Sequence, residues 1–161
     1  MTEDRGYGWW TTFEKIDEVV QNLEKMGIPN PSGTYLIDIN KEYSPEELRS
    51  LLQRFGSYLS ILYGLEGKVE GQCHALKEGY KTGLQVALVR QTTNGKTVKD
   101  REGEIVSGND MFLTTRRMEI DNESVLKVIQ GYRKSYESAY NTISRLITLM
   151  LGEVQHLGGA G

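Results

Sequence analysis

Apolar residues recur at helical spacing in two long tracts of this chain, and both patterns step by threes and fours. The first tract runs from Ser44 to about Thr92. Its apolar positions are Leu48, Leu52, Phe55, Leu59, Leu62, Val69, Cys73, Leu76, Tyr80 and Ala87, with Glu66 and Gly83 breaking the register. Such a series is a coiled-coil seam. Ser44 as N-cap, Pro45 at the first helical position and Glu47 closing a capping box predict where the helix starts. Roughly 48 residues at a rise of about 1.5 Å reach on the order of 70 Å, so the seam requires a partner.

The second tract, Asn109 to Leu157, supplies one. From Ile129 its heptad series continues through Tyr132, Tyr136, Ala139, Ile143, Leu146, Met150 and Leu157, with Glu153 out of place, and Gly158-Gly159 ends it. The two tracts are nearly equal in length, and the segment Thr93–Gly108 between them is polar. The economical arrangement is a long antiparallel helical hairpin with that segment at its tip. Asp121-Asn122 offers a second N-cap that splits the second arm.

Residues 1–43 divide into three pieces. MTEDRGYGWW is an irregular arm carrying both tryptophans. Thr11 and Glu14 make a capping box for a short helix with Phe13, Ile16, Val19, Val20, Leu23 and Met26 on one face, ended by Gly27. After the turn-rich IPNPSG, the alternating run Thr34–Ile39 predicts a short strand or an extended segment against the helices. The expected organisation is an N-terminal arm, helix and extended segment over 1–43 and a helical hairpin domain over 44–161. The fold class is all-α, assembling into an oligomer.

Glycine changes that picture. Gly64, Gly67, Gly71, Gly79 and Gly83 lie inside the first long helix, each costing about 1 kcal/mol relative to alanine. Gly71, Ala75, Gly79, Gly83 and Ala87 step by four, a narrow stripe of small side chains. The stripe admits close approach of a neighbouring helix; a kink near Gly64–Gly67 is the other explanation, and the two are compatible. The packing residues are therefore Gly71, Gly79 and Gly83 with Leu59, Leu62, Leu76, Ile143, Leu146 and Met150.

Composition narrows the function more than it defines it. Lys and Arg number 19 against 22 Asp and Glu, a net charge of −3. Residues 1–67 hold 11 acids and 6 bases; residues 68–161 hold 13 bases and 11 acids. The basic set is Lys77, Lys81, Arg90, Lys96, Lys99 and Arg101, which fits phosphate contacts or equally a solvated helix face. Tyr7, Trp9 and Trp10 fit stacking on unpaired bases or anchoring of the arm onto the hairpin.

Catalytic chemistry finds no foothold. His74 and His156 are far apart, and no Cys/His/Asp set has metal-ligand spacing. Asn94–Thr97 ends like a phosphate-binding loop, but Arg90 stands where that loop needs its first glycine. Thr97 capping an acidic first turn accounts for Asp100–Glu104. The expectation is no enzyme, no metal and no cofactor. A single cysteine, Cys73, excludes an internal disulfide, and no apolar run reaches the ~18 residues of a membrane span. A cytoplasmic protein is expected, with Cys73 reduced and buried in the seam.

YLSILYGLEGKVEGQCHALKEGYKTGLQVALVRQ, then GKTVKDREGE, then a long helix containing SYESAYNTISRLI, resembles the layout of phage recombination mediators of the UvsY type over residues 44–157. The shared elements are Val86–Arg90, the tip Lys96–Val98 and the terminal SRLI; Val89 departs from the family's richer basic pattern. The resemblance implies an all-helical, ring-forming, non-enzymatic protein in the host cytoplasm. It implies partners too: single-stranded DNA, a recombinase and a single-strand-binding protein. The same layout suits a structural, scaffolding or host-protein-interacting phage protein with no nucleic-acid role.

Overall fold

A computed structural model describes residues 9–32, 36–38, 40–91 and 97–158, with side chains described between 12 and 152 within those ranges. Four helices stand among the described residues: α1 (Trp9–Lys25), α2 (Pro45–Arg90), α3 (Val98–Ser107) and α4 (Asp110–Gly158). The all-α class is correct.

Local chemistry sets most of the helix ends. The Glu47 amide donates to Ser44 Oγ at 3.2 Å and the Ser44 amide donates to Glu47 Oε2 at 2.8 Å, the reciprocal capping box read from the sequence. Thr97 and Asp100 repeat the motif at α3. Asn109 Oδ1 accepts from the Met111 amide at 3.0 Å and so caps α4. Gly27 follows α1 with a φ of 79°, a left-handed conformation that glycine adopts without the Cβ penalty.

Several expectations need correction. The strand over Thr34–Ile39 does not form across Leu36–Asp38; Thr34, Tyr35 and Ile39 lie outside the described residues. Asp38 folds this stretch into a turn instead: its carboxylate accepts from the Asn40 amide, its carbonyl accepts from the Lys41 amide, and its own amide donates to the Tyr43 hydroxyl. Ile37 is buried singly. Asp121-Asn122 starts no new helix, because α4 continues through it; Thr12 Oγ1 donates to Asp121 Oδ1 at 2.7 Å and occupies the carboxylate. Gly64–Gly67 does not end α2. Helix α1 begins at Trp9, so Thr11 is not its cap.

The chain forms two compact units. Residues 1–19 with 67–127 make one; residues 20–66 with 128–161 make the other.

In the second unit, α2 buries Leu48, Phe55, Leu59 and Leu62, and α4 buries Ile129, Tyr132, Tyr136, Ala139 and Ile143. These positions step by threes, fours and sevens, as a helix presenting one apolar face must. Leu23, Ile28 and Ile37 are also buried in this unit. Tyr136 is 0 % exposed: Phe55 and Tyr58 meet its ring edge-on at 5.4 and 5.2 Å, and its hydroxyl donates to the Pro29 carbonyl at 2.7 Å. Burial pushes the phenol's pKa up to about 12. Leu146 and Met150 are half-buried farther along α4.

Glu66, which breaks the apolar register, is buried at 9 % exposure. Arg133 supplies its counter-charge, with Nε 2.6 Å from Glu66 Oε2. The guanidinium also reaches Glu137 at 2.8 Å and lies over the Tyr63 ring at 5.3 Å, while the Tyr63 hydroxyl donates to Glu137.

The first unit buries Cys73, Phe112 and Val125, with Glu119 at 3 % exposure. Lys77 Nζ lies 2.6 Å from Glu123 and 3.9 Å from Glu119, and Arg116 pairs with Glu119 from the turn before it. Burial raises the Cys73 thiol's pKa and keeps it in its less reactive form. Tyr80 meets Phe112 edge-on at 5.6 Å. Gly83 faces that ring: a Cβ there would stand 3.4 Å from Phe112, in van der Waals contact with it. Leu76 is half-buried, and Gly71 and Gly79 have nothing within 4 Å of the position of a Cβ.

Candidate nucleic-acid interface

The cations singled out in the sequence have different surroundings in the first unit. Lys77 is the most committed. Its bond to the Glu123 carboxylate, with the field of Glu119, raises its pKa, and a cation held this way has its charge neutralised by α4. The same bond lowers the Glu123 pKa.

Lys81 stands one turn further along α2 and is exposed, as is Arg90, the last residue of that helix. Lys99 is exposed in the first turn of α3. Among the described residues these three make no ion pair. Arg101 is half-buried, with its Nε closed off from water and lacking an acceptor. Lys96 lies outside the described residues, as do the side chains of Trp9 and Trp10 and the whole of Tyr7.

The acidic residues between these cations are partly occupied. Asp100 takes the Thr97 hydroxyl at 2.5 Å and the Thr97 amide at 3.3 Å, so its carboxylate serves the α3 cap. What the arrangement can do chemically is neutralise phosphates, one contact per free cation. Among the described residues no group of three or more His, Cys, Asp or Glu stands ready to hold a metal, and no helix is long and apolar enough to cross a membrane.

A groove opens beside Arg90, with a cavity volume of about 710 Å³. Val86, Ala87, Ile105, Met111 and Phe112 line it together with the polar Arg90, Gln91, Glu104 and Asn109. The sequence reading missed it. Gly83 and Phe112 both line it, a pairing that only the register between the two tracts reveals. No protein-family model, curated protein or solved structure matches this chain.

Proposed function

We propose that this chain is a non-enzymatic assembly protein that binds single-stranded DNA and helps load a recombinase onto strands carrying a single-strand-binding protein. The observation that carries the binding step is the set Lys81, Arg90 and Lys99, exposed and without ion pairs among the described residues of one unit. Cations at a helix end and in the helix that follows track a flexible backbone without reading its bases. The recombinase and the single-strand-binding protein enter through the resemblance of residues 44–157 to mediators of the UvsY type.

In this proposal α2 and α4 are the arms of an antiparallel, coiled-coil-like hairpin with α3 at its turn. Within each unit, rising positions on α2 meet falling positions on α4, as in Tyr63 with Glu137 and Arg133 with Glu66, or Lys77 with Glu123 and Gly83 with Phe112. The hairpins assemble into an oligomer of more than two copies. Gly71 and Gly79 support this, because they are exposed and leave open space where a second copy's helix can approach.

That assembly has a direct test. Replacing Gly71 and Gly79 with alanine should stabilise α2 by roughly 1 kcal/mol per site in thermal melts, from helix propensity. Leucine at both sites should also raise the melting temperature of the single chain while reducing the particle mass in light scattering, because its bulk keeps copies apart. An unchanged mass with leucine removes the stripe from the interface. For the binding step, the test is titration of a labelled single-stranded oligonucleotide at low and moderate salt.

The second function is a helical interaction protein without a nucleic-acid role. The groove beside Arg90, where Val86, Ile105, Met111 and Phe112 stand among Arg90, Gln91, Glu104 and Asn109, favours it. In the same titration, a failure to bind at low salt selects it.

A further inference from the structure

We propose that two charged contacts, Glu66 with Arg133 in one unit and Lys77 with Glu123 in the other, select one axial alignment of α2 against α4 from several that the apolar residues alone would accept. The apolar positions repeat by sevens on both helices. Leu48, Phe55 and Leu62 are buried on α2, and Ile129, Tyr136 and Ile143 on α4. A slide of one heptad, about 10 Å along the axis, therefore returns apolar side chains to apolar side chains. Burial of that series discriminates weakly between the alignments.

The charged contacts do not repeat by seven. Glu66 is buried, and Arg133 Nε lies 2.6 Å from its carboxylate. Seven residues to either side of Arg133 stand Leu126 and Tyr140. Either slide takes Glu66 off its guanidinium and sets it against a side chain with no positive charge, and a buried charge without its partner is strongly unfavourable. The other unit disfavours the same slides. Lys77 Nζ lies 2.6 Å from Glu123 and 3.9 Å from Glu119. Seven residues before those acids stand Arg116 and Phe112; seven after them stand Gln130 and Leu126. One slide brings Lys77 toward a like charge, and the other toward an amide and a leucine. The Arg116–Glu119 pair lies within α4 and moves with it, so it takes no part in the selection. A charged or polar group on an apolar seam that fixes register at a cost in stability is a known use of such residues in paired helices.

This inference rests on the antiparallel pairing of α2 and α4 within each unit and is independent of DNA binding. The test places spin labels at Ser60→Cys and Ser138→Cys, both exposed, in a full-length chain carrying Cys73→Ala. Ser60 and Ser138 stand close to level, as Tyr63 with Glu137 and Glu66 with Arg133 show. The chain with both charged contacts intact should give one short, narrow distance by pulsed electron paramagnetic resonance. Glu66→Leu, Arg133→Met, Lys77→Met and Glu123→Gln together should keep the helical circular dichroism signal yet add a second, longer distance, from a slide of about 10 Å. Lys77→Met with Glu123→Gln alone should keep the single distance, because Glu66 and Arg133 still select.

A single unchanged distance in the folded four-fold variant overturns the proposal and gives the selection to the apolar contacts around Tyr136. Two distances in the chain with both contacts intact overturn it as well. Loss of the helical signal in the four-fold variant also does so, since the contacts would then support folding itself rather than choose between alignments. A single long distance with both contacts intact would refute the antiparallel pairing on which the proposal rests.

Discussion

Tyr136→Ala should destabilise the protein by about 3–5 kcal/mol, the cost of emptying a fully buried aromatic position. A ring that is 0 % exposed leaves no solvent-facing side from which water or a neighbour readily fills the space. Phe55 and Tyr58 each lose an edge-on partner, and the Pro29 carbonyl loses its donor. Tyr136→Phe separates these contributions. It keeps the ring and removes only the hydroxyl, so its cost should be about 1–2 kcal/mol. Urea unfolding of both variants measures the difference. Equal losses would mean that the hydroxyl, rather than the ring, holds this part of the unit together.

Removing Arg133 should come close behind. Arg133→Met leaves Glu66 buried without its cation and should destabilise the protein. The double variant Glu66→Leu with Arg133→Met should recover most of that loss, because a well-packed apolar pair costs no desolvation. The contrast between single and double variants in chemical denaturation is the informative quantity.

pH adds a second check on the same ion pairs. The Tyr63 hydroxyl, then Arg133, hold Glu137 below the usual carboxylate range, and Lys77 does the same for Glu123. A carboxylate with a depressed folded-state pKa stabilises the fold above its unfolded pKa. That contribution is lost as pH falls through the folded value. Stability should therefore decline on acidification from about pH 5 downward, and less steeply in a variant lacking both Glu123 and Glu137.

The long helices were legible because their signals are redundant. Seven-residue apolar stepping and the Ser44–Glu47 box all point to one start and one face for α2, which spans Pro45–Arg90. Helix α3 had the Thr97 cap to announce it but no apolar period, since it buries none of its residues. The Leu36–Asp38 stretch misled for the opposite reason. Its alternation looked like a strand, yet the turn around Asp38 satisfies the backbone without a partner strand.

Glu66 is the most instructive position. A charge on an apolar register is an exception when one helix is read alone. Beside the second helix, it becomes half of an ion pair with Arg133. The cation set failed in the same way. Lys77 and Lys81 look equivalent in the sequence, four residues apart on one helix. Glu119 and Glu123 on α4 engage the first, and no described residue pairs with the second. Which cations stay free depends on contacts between tracts, and local patterns do not encode those.

Salt dependence measured on two proteins tests most directly whether the free cations carry the proposed binding. Single-stranded oligonucleotide affinity is followed against salt for the wild type and for the triple variant Lys81→Glu, Arg90→Glu and Lys99→Glu. Each phosphate contact contributes roughly 0.7 to the slope of log affinity against log salt for single strands. Three lost contacts should flatten the slope by about 2, with affinity at low salt falling steeply. Lys77→Met combined with Glu123→Gln serves as the control: it removes a cation together with its counter-charge, so it should leave the slope unchanged while lowering stability. A triple variant that binds with wild-type affinity and slope would contradict the account.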